Sequence, residues 1–100
     1  MSEKPLFLPL KTKYYEAFKS GEKTEELRKY GGRWTEKTCF VGRKVTLSKG
    51  YGKQNRLKGV IVSFETKHGT KFGMFDRFAI NDCFKTLDIT MAIIGIKIET

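Results

Sequence analysis

Ser20-Gly21-Glu22-Lys23-Thr24-Glu25-Glu26-Leu27-Arg28-Lys29-Tyr30 is the stretch from which the fold of this chain is read. Gly21 ends a helical pattern, and residues 24–30 read as a strand broken by Gly31-Gly32. In an extended chain Thr24, Glu26, Arg28 and Tyr30 share one side, and Glu25, Leu27 and Lys29 the other. Leu27 is the one clear core anchor. The opposite side is a row of a hydroxyl, a carboxylate, a guanidinium and a phenol, which either lies in solvent or lines a cleft. Lys23 and Glu26 point to opposite sides of a regular strand, so they converge only if Lys23 sits in the turn after Gly21. Glycine makes that turn easy, because it tolerates positive φ.

The flanking sequence completes a mainly β pattern. Pro5 to Leu10 reads as a short strand, and its two prolines suggest a sheet edge or a strand end. Lys13 to Ser20 reads as a helix, with Leu10, Tyr14 and Phe18 on one face, Tyr15 beside them and Thr12 as N-cap. Arg33-Trp34 to Gly42 is irregular or a short helical turn, Lys44 to Ser48 alternates at period two, and Gly50-Tyr51-Gly52 marks a turn. Val60 to Phe64 is a continuous apolar strand, expected to be buried on both sides for part of its length. His68-Gly69-Thr70 reads as a hairpin turn into Lys71-Phe72. Phe75, Phe78, Ala79 and Cys83 sit at helical spacing, with both phenylalanines expected in the core. Ile94, Ile96 and Ile98 close the chain as an alternating strand. The expected fold is α+β, mainly β: one domain over residues 1–100, a β-barrel of about five or six strands with two short helices.

Composition narrows the function classes. An apolar content of 39% with 13% aromatics is ordinary for a folded domain. No apolar run approaches the ~20 residues of a membrane span. Met1 to Pro5 lacks the charged and then apolar pattern of a secretory leader, so a reduced, cytoplasmic setting is expected. Cys39 and Cys83 are too few and too isolated for a disulfide framework or a zinc site, and His68 is alone. No metal and no cofactor is therefore expected. Charge is more informative, because 20 basic residues against 11 acidic give +9. Eleven basic and three acidic residues fall between Lys23 and Lys58, so that stretch alone carries +8. Such concentration points to a polyanionic partner.

The central stretch also resembles a known family. Gly21-x-Lys23-x-x-Glu26-x-Arg28 is similar to the G-x-K-x-x-E-x-R signature of the ASCH family, a group of PUA-like β-barrels. Leu8-Pro9-Leu10 before an aromatic helix, Arg33-Trp34, and Leu47-Ser48-Lys49-Gly50-Tyr51-Gly52 followed by Arg56 resemble small prophage-type members. The resemblance runs over essentially the whole chain and is firmest from Leu8 to Phe64. It implies a fold similar to RNA-binding PUA domains, with Lys23, Glu26 and Arg28 at a cleft beside the first helix. It also implies a choice of activities, since members are proposed to bind RNA and some are enzymes. One group removes the acetyl group of N4-acetylcytidine, and another member type is a ribonuclease. The deacetylating group resembles this chain at Gly21, Lys23 and Arg28. Where this chain has Glu26, that group carries its proposed nucleophile, a threonine, and here the nearest hydroxyl is Thr24.

Each candidate residue has a chemical reason and a plainer alternative. Lys23 offers a cation to a phosphate, or a general base in a buried setting; otherwise it is a turn lysine. Glu26 is a buried base or orienter, or a simple ion-pair partner of Arg28. Tyr51 and Trp34 are aromatics within the basic stretch that could stack on an unpaired base, although Trp34 also suits the core. Lys49 to Arg56 is a glycine-relaxed basic loop, in which Lys49, Lys53 and Arg56 meet phosphates together with Arg28 and Arg33. The first expectation is an RNA- or nucleotide-binding module with no membrane association. The alternative is a metal-independent hydrolase on a modified nucleoside or on RNA, with Lys23, Glu26 and Thr24 as its catalytic candidates. A domain for an acidic protein partner is the third reading.

Overall fold

A computed structural model describes residues 4–99; Met1 to Glu3, part of the leader reading above, lie outside the described residues. Leu6, Leu8 and Leu10 alternate with Phe7 and Pro9, so strand β1 (Leu6–Leu10) turns three leucines inward. Helix α1 (Thr12–Ser20) follows directly. It begins one residue before the expected start, because the extended residue Lys11 is the N-cap and its carbonyl accepts from the amides of Tyr14 and Tyr15. Thr12 is thus the first helical residue instead of the cap. Tyr15 and Phe18 anchor α1 over the sheet.

Strands β2 (Glu25–Lys29), β3 (Lys44–Lys49), β4 (Arg56–His68) and β5 (Thr90–Ile98) complete one sheet in the order β1-β3-β4-β5-β2. Only the β1–β3 pair is parallel. The five strands curl into a half-barrel whose two edges are β1 and β2. Its interior is filled by the β1 leucines, Tyr15, Phe18, Val45, Leu47, Ile61, Ile94 and Ile96.

Three features of the second half depart from the local pattern. β4 carries an extra residue between Ile61 and Ser63, so its register against β5 shifts there. Ile61 and Phe64 both pack with the barrel interior, while Val62 is half exposed. The apolar run is therefore a bulge that reverses side-chain parity, and not a strand buried on both sides. The strand that is buried on both faces is β5. Ile94 and Ile96 face the barrel, while Met91 and Ile93 join Phe72 and Ile80 in a second cluster beneath helix α2 (Met74–Phe84).

The third departure is α2 itself, whose inward anchor is Ile80. Phe75 and Phe78 are 88% and 69% exposed, contrary to their expected core role. At ~100° per residue, a helix that turns Ile80 inward must carry Phe78 on the opposite side. The expected hairpin at His68-Gly69-Thr70 is instead a 3₁₀ turn over Gly69–Lys71 that leads into α2. Phe72 lies in no strand and packs in the outer cluster.

Gly69 is required where the 3₁₀ turn crosses the chain ahead of β5. A Cβ there would lie 2.5 Å from the Leu87 carbonyl oxygen, while the Gly69 amide donates to Ile89 O. Gly69→Ala should cost about 2–3 kcal/mol, because backbone rather than a side-chain tip must yield. Urea denaturation checks it, and a change within ~0.5 kcal/mol would contradict the crossing.

Candidate functional site

The turn after α1 places the first site residue. Gly21 takes φ 88° and donates to Phe18 O, which lets the Lys23 amide reach back to Ala17 O. Lys23 is thereby held before β2 begins, on the same side as Glu26. Its Nζ lies 3.6 Å from Glu26 Oε1 and rests over the rings of Tyr14 and Phe18, 5.3 and 5.5 Å from their centroids.

Glu26 pairs with Ile94 in the ladder and is only 7% exposed. A carboxylate so placed needs partners, since an unpaired buried charge is costly. Arg28 supplies the second one: its Nε donates to Glu26 Oε2 at 2.7 Å. Nη2 of the same guanidinium donates to Pro9 O at 2.7 Å, and the group lies 4.7 Å from the Trp34 ring centroid. Arg33 repeats the arrangement one step along the edge, with Nη2 on Phe7 O at 2.9 Å and its guanidinium 5.3 Å from Trp34. The seam between β1 and β2, which share no ladder, is thus bridged by two arginines bonded to β1 carbonyls.

Above this charged floor a cleft of about 390 Å³ opens between the β1–α1 junction and α2. Lys23, Glu26 and Arg28 line it together with Tyr14 and Lys11 on one side and Ile80 and Phe84 on the other. Thr24 does not. It lines a neighbouring, more open depression of about 480 Å³, which neither Glu26 nor Arg28 reaches. The cleft has two cations around one carboxylate on its floor and mainly apolar and aromatic walls that also carry Lys11 and Asp76, a pattern suited to a flat polar ligand carrying negative charge.

The other residues named from sequence lie away from the cleft. Lys49 turns toward α1, where its Nζ meets Glu16 Oε2 at 2.8 Å and lies over Tyr15. That contact holds the Glu16 carboxyl below its ordinary range. Tyr51 is 81% exposed, and its ring centroid is 6.1 Å from that of Phe7. Arg56 lies 5.2 Å from the Phe7 ring centroid, with Nε on Gly52 O at 3.3 Å. Lys53 is exposed in the loop between β3 and β4. Trp34 is half-buried against the barrel core, as its core reading expected, and its ring also carries both guanidinia.

Some of the positive charge serves the fold. Arg28, Arg33 and Arg43 all donate to backbone carbonyls. In the loop before β3, Cys39 is buried and its thiol is pushed up by that burial, which makes it a poor nucleophile. Tyr30 donates to the Glu36 carboxylate, raising the phenol and lowering the acid. Sequence reasoning missed Phe7 and Tyr14 as site residues. The signal for Phe7 was available, since an aromatic alternating with leucines on an edge strand must face outward. Among the described residues no helix is long and apolar enough to cross a membrane. No family model and no curated protein matches the chain.

Proposed function

We propose that this chain is a PUA-like domain of the ASCH type that binds a nucleotide, free or within RNA, in the cleft beside α1. The observation that carries the reading is the convergence of Lys23, Glu26 and Arg28 on the floor of a cleft of about 390 Å³. That volume suits one nucleoside. Tyr14, Ile80 and Phe84 offer surfaces to a base, and Lys11 and Lys23 offer cations to a phosphate. Glu26 fixes both Lys23 and Arg28 and so orients the charge that the ligand meets. The proposed setting is the cytoplasm.

The test is calorimetric titration of nucleoside monophosphates into wild type and Lys23→Ala. Loss of one charge-assisted contact should weaken binding on the order of tenfold, with affinity falling as salt rises. Equal affinity in the two proteins would end the reading. A hydrolase is the second reading, favoured by the 3.6 Å approach of the Lys23 ammonium to the Glu26 carboxylate on the floor of the cleft. Thr24, lying outside that cleft, lends it no support as a nucleophile. Turnover of RNA or N4-acetylcytidine that disappears in both Lys23→Ala and Glu26→Gln would favour catalysis over binding alone.

A further inference from the structure

We infer that a second binding element leads away from the cleft along the β1 edge: a cation–aromatic track that carries the single-stranded RNA flanking the nucleotide in the cleft. The inference rests on the nucleotide reading above and adds that the ligand is a polymer. Its basis is an unbroken line of contacts. Arg28 leaves the cleft floor and lies over Trp34; Arg33 lies over the same ring and bonds to the Phe7 carbonyl. The Phe7 ring then meets both Arg56 and Tyr51. Guanidinium and aromatic groups alternate along this line.

The far end of the track is open to solvent, and its arginines bond only to backbone carbonyls, Arg33 to Phe7 O and Arg56 to Gly52 O. Tyr51 stands 81% exposed between two glycines, touching only the edge ring of Phe7 in an aromatic pair. Arg33 and Arg56 are exposed and, among the described residues, neither forms an ion pair with a carboxylate. An exposed tyrosine and two part-buried rings, interleaved with arginines that no carboxylate neutralises, suit a single strand, with bases stacking on rings and phosphates meeting guanidinia. Tyr51 does not line the cleft, so a nucleotide confined there leaves it uncontacted. A protein partner with an acidic face would use the arginines but not a row of rings, so RNA is the occupant the chemistry favours.

The experiment compares a uridine mononucleotide, by calorimetry, with a labelled single-stranded uridine octanucleotide, by fluorescence anisotropy. Both are measured with wild type, Tyr51→Ala, Arg56→Ala and Lys23→Ala, each checked for folding by circular dichroism. The track predicts that the octanucleotide binds wild type at least about tenfold more tightly than the mononucleotide. Tyr51→Ala and Arg56→Ala should each remove most of that gain and leave mononucleotide affinity unchanged. Arg56→Ala should also reduce the salt slope by about one. A gain that survives both substitutions, or no gain with length, overturns the track while the cleft reading stands. If Lys23→Ala leaves the mononucleotide unaffected but the length gain still needs Tyr51, the cleft reading fails and the track survives. Absence of binding by either probe at low salt overturns both.

Discussion

Arg28→Ala will destabilise the fold by about 3 kcal/mol and lower its unfolding midpoint by roughly 12–24 °C. Three partners lose their contact at once. Glu26, nearly buried, keeps only the longer approach of Lys23; the Pro9 carbonyl loses its donor; and the Trp34 ring keeps only Arg33 of its two guanidinia. Removing one member of a buried pair costs about 3–5 kcal/mol, and the Arg28 side chain is 24% exposed, so the lower end applies. Because these bonds bridge the two strands that no ladder joins, the loss falls on the closure of the half-barrel. Arg28→Lys keeps the charge but cannot reach Glu26 and Pro9 O together, so it should recover less than half of the stability. Thermal melts of the three proteins decide this. A shift under ~4 °C for Arg28→Ala would mean that packing and the Arg33 bond hold the seam without Arg28.

The second large effect is expected at Phe18. Its side chain is fully buried beneath α1, among the barrel leucines, and its ring lies under the Lys23 ammonium. Phe18→Ala should cost about 3–5 kcal/mol through lost transfer energy and the cavity left behind. A domain of this size has only ~5–15 kcal/mol to lose, so the variant will be marginal at room temperature. Phe18→Leu fills most of the space and should cost less than ~1.5 kcal/mol, which keeps it usable for ligand titration. With the ring gone, Lys23 loses one of the two surfaces that hold it over Glu26. Phe18→Leu is therefore expected to weaken nucleotide binding modestly while remaining folded. Urea denaturation with an unchanged m-value checks the first claim, and titration of the leucine variant checks the second.

Much of this was legible from local pattern. Period-two alternation places Leu6, Leu8 and Leu10, and likewise Val45 and Leu47, on the inner face of a sheet, because side chains alternate wherever a strand is regular. Gly21 in the left-handed region ends α1 and permits the turn that carries Lys23, because a residue without Cβ tolerates that turn. The polar row on β2 follows from the same alternation, and of its four members Glu26 and Arg28 line the cleft while Thr24 and Tyr30 do not. Each of these depends on neighbours within a few residues, so the linear chain contains it.

What only tertiary structure decided lies at longer range. The phase of α2 was set by which side met β5, and that contact turned Ile80 inward and left Phe75 and Phe78 in solvent. Parity in β4 was broken by one extra residue, whose presence depends on how a long strand bends between two partners. The basic residues from Lys23 to Arg56 are concentrated in one stretch of sequence but divide in space between the cleft, the β1 edge and several carbonyl staples. Arg28 meets Pro9 across 19 residues, so no local rule pairs them. Short-range sterics choose the elements, whereas which faces become covered, and which charges are spent in covering them, is settled only when the sheet curls.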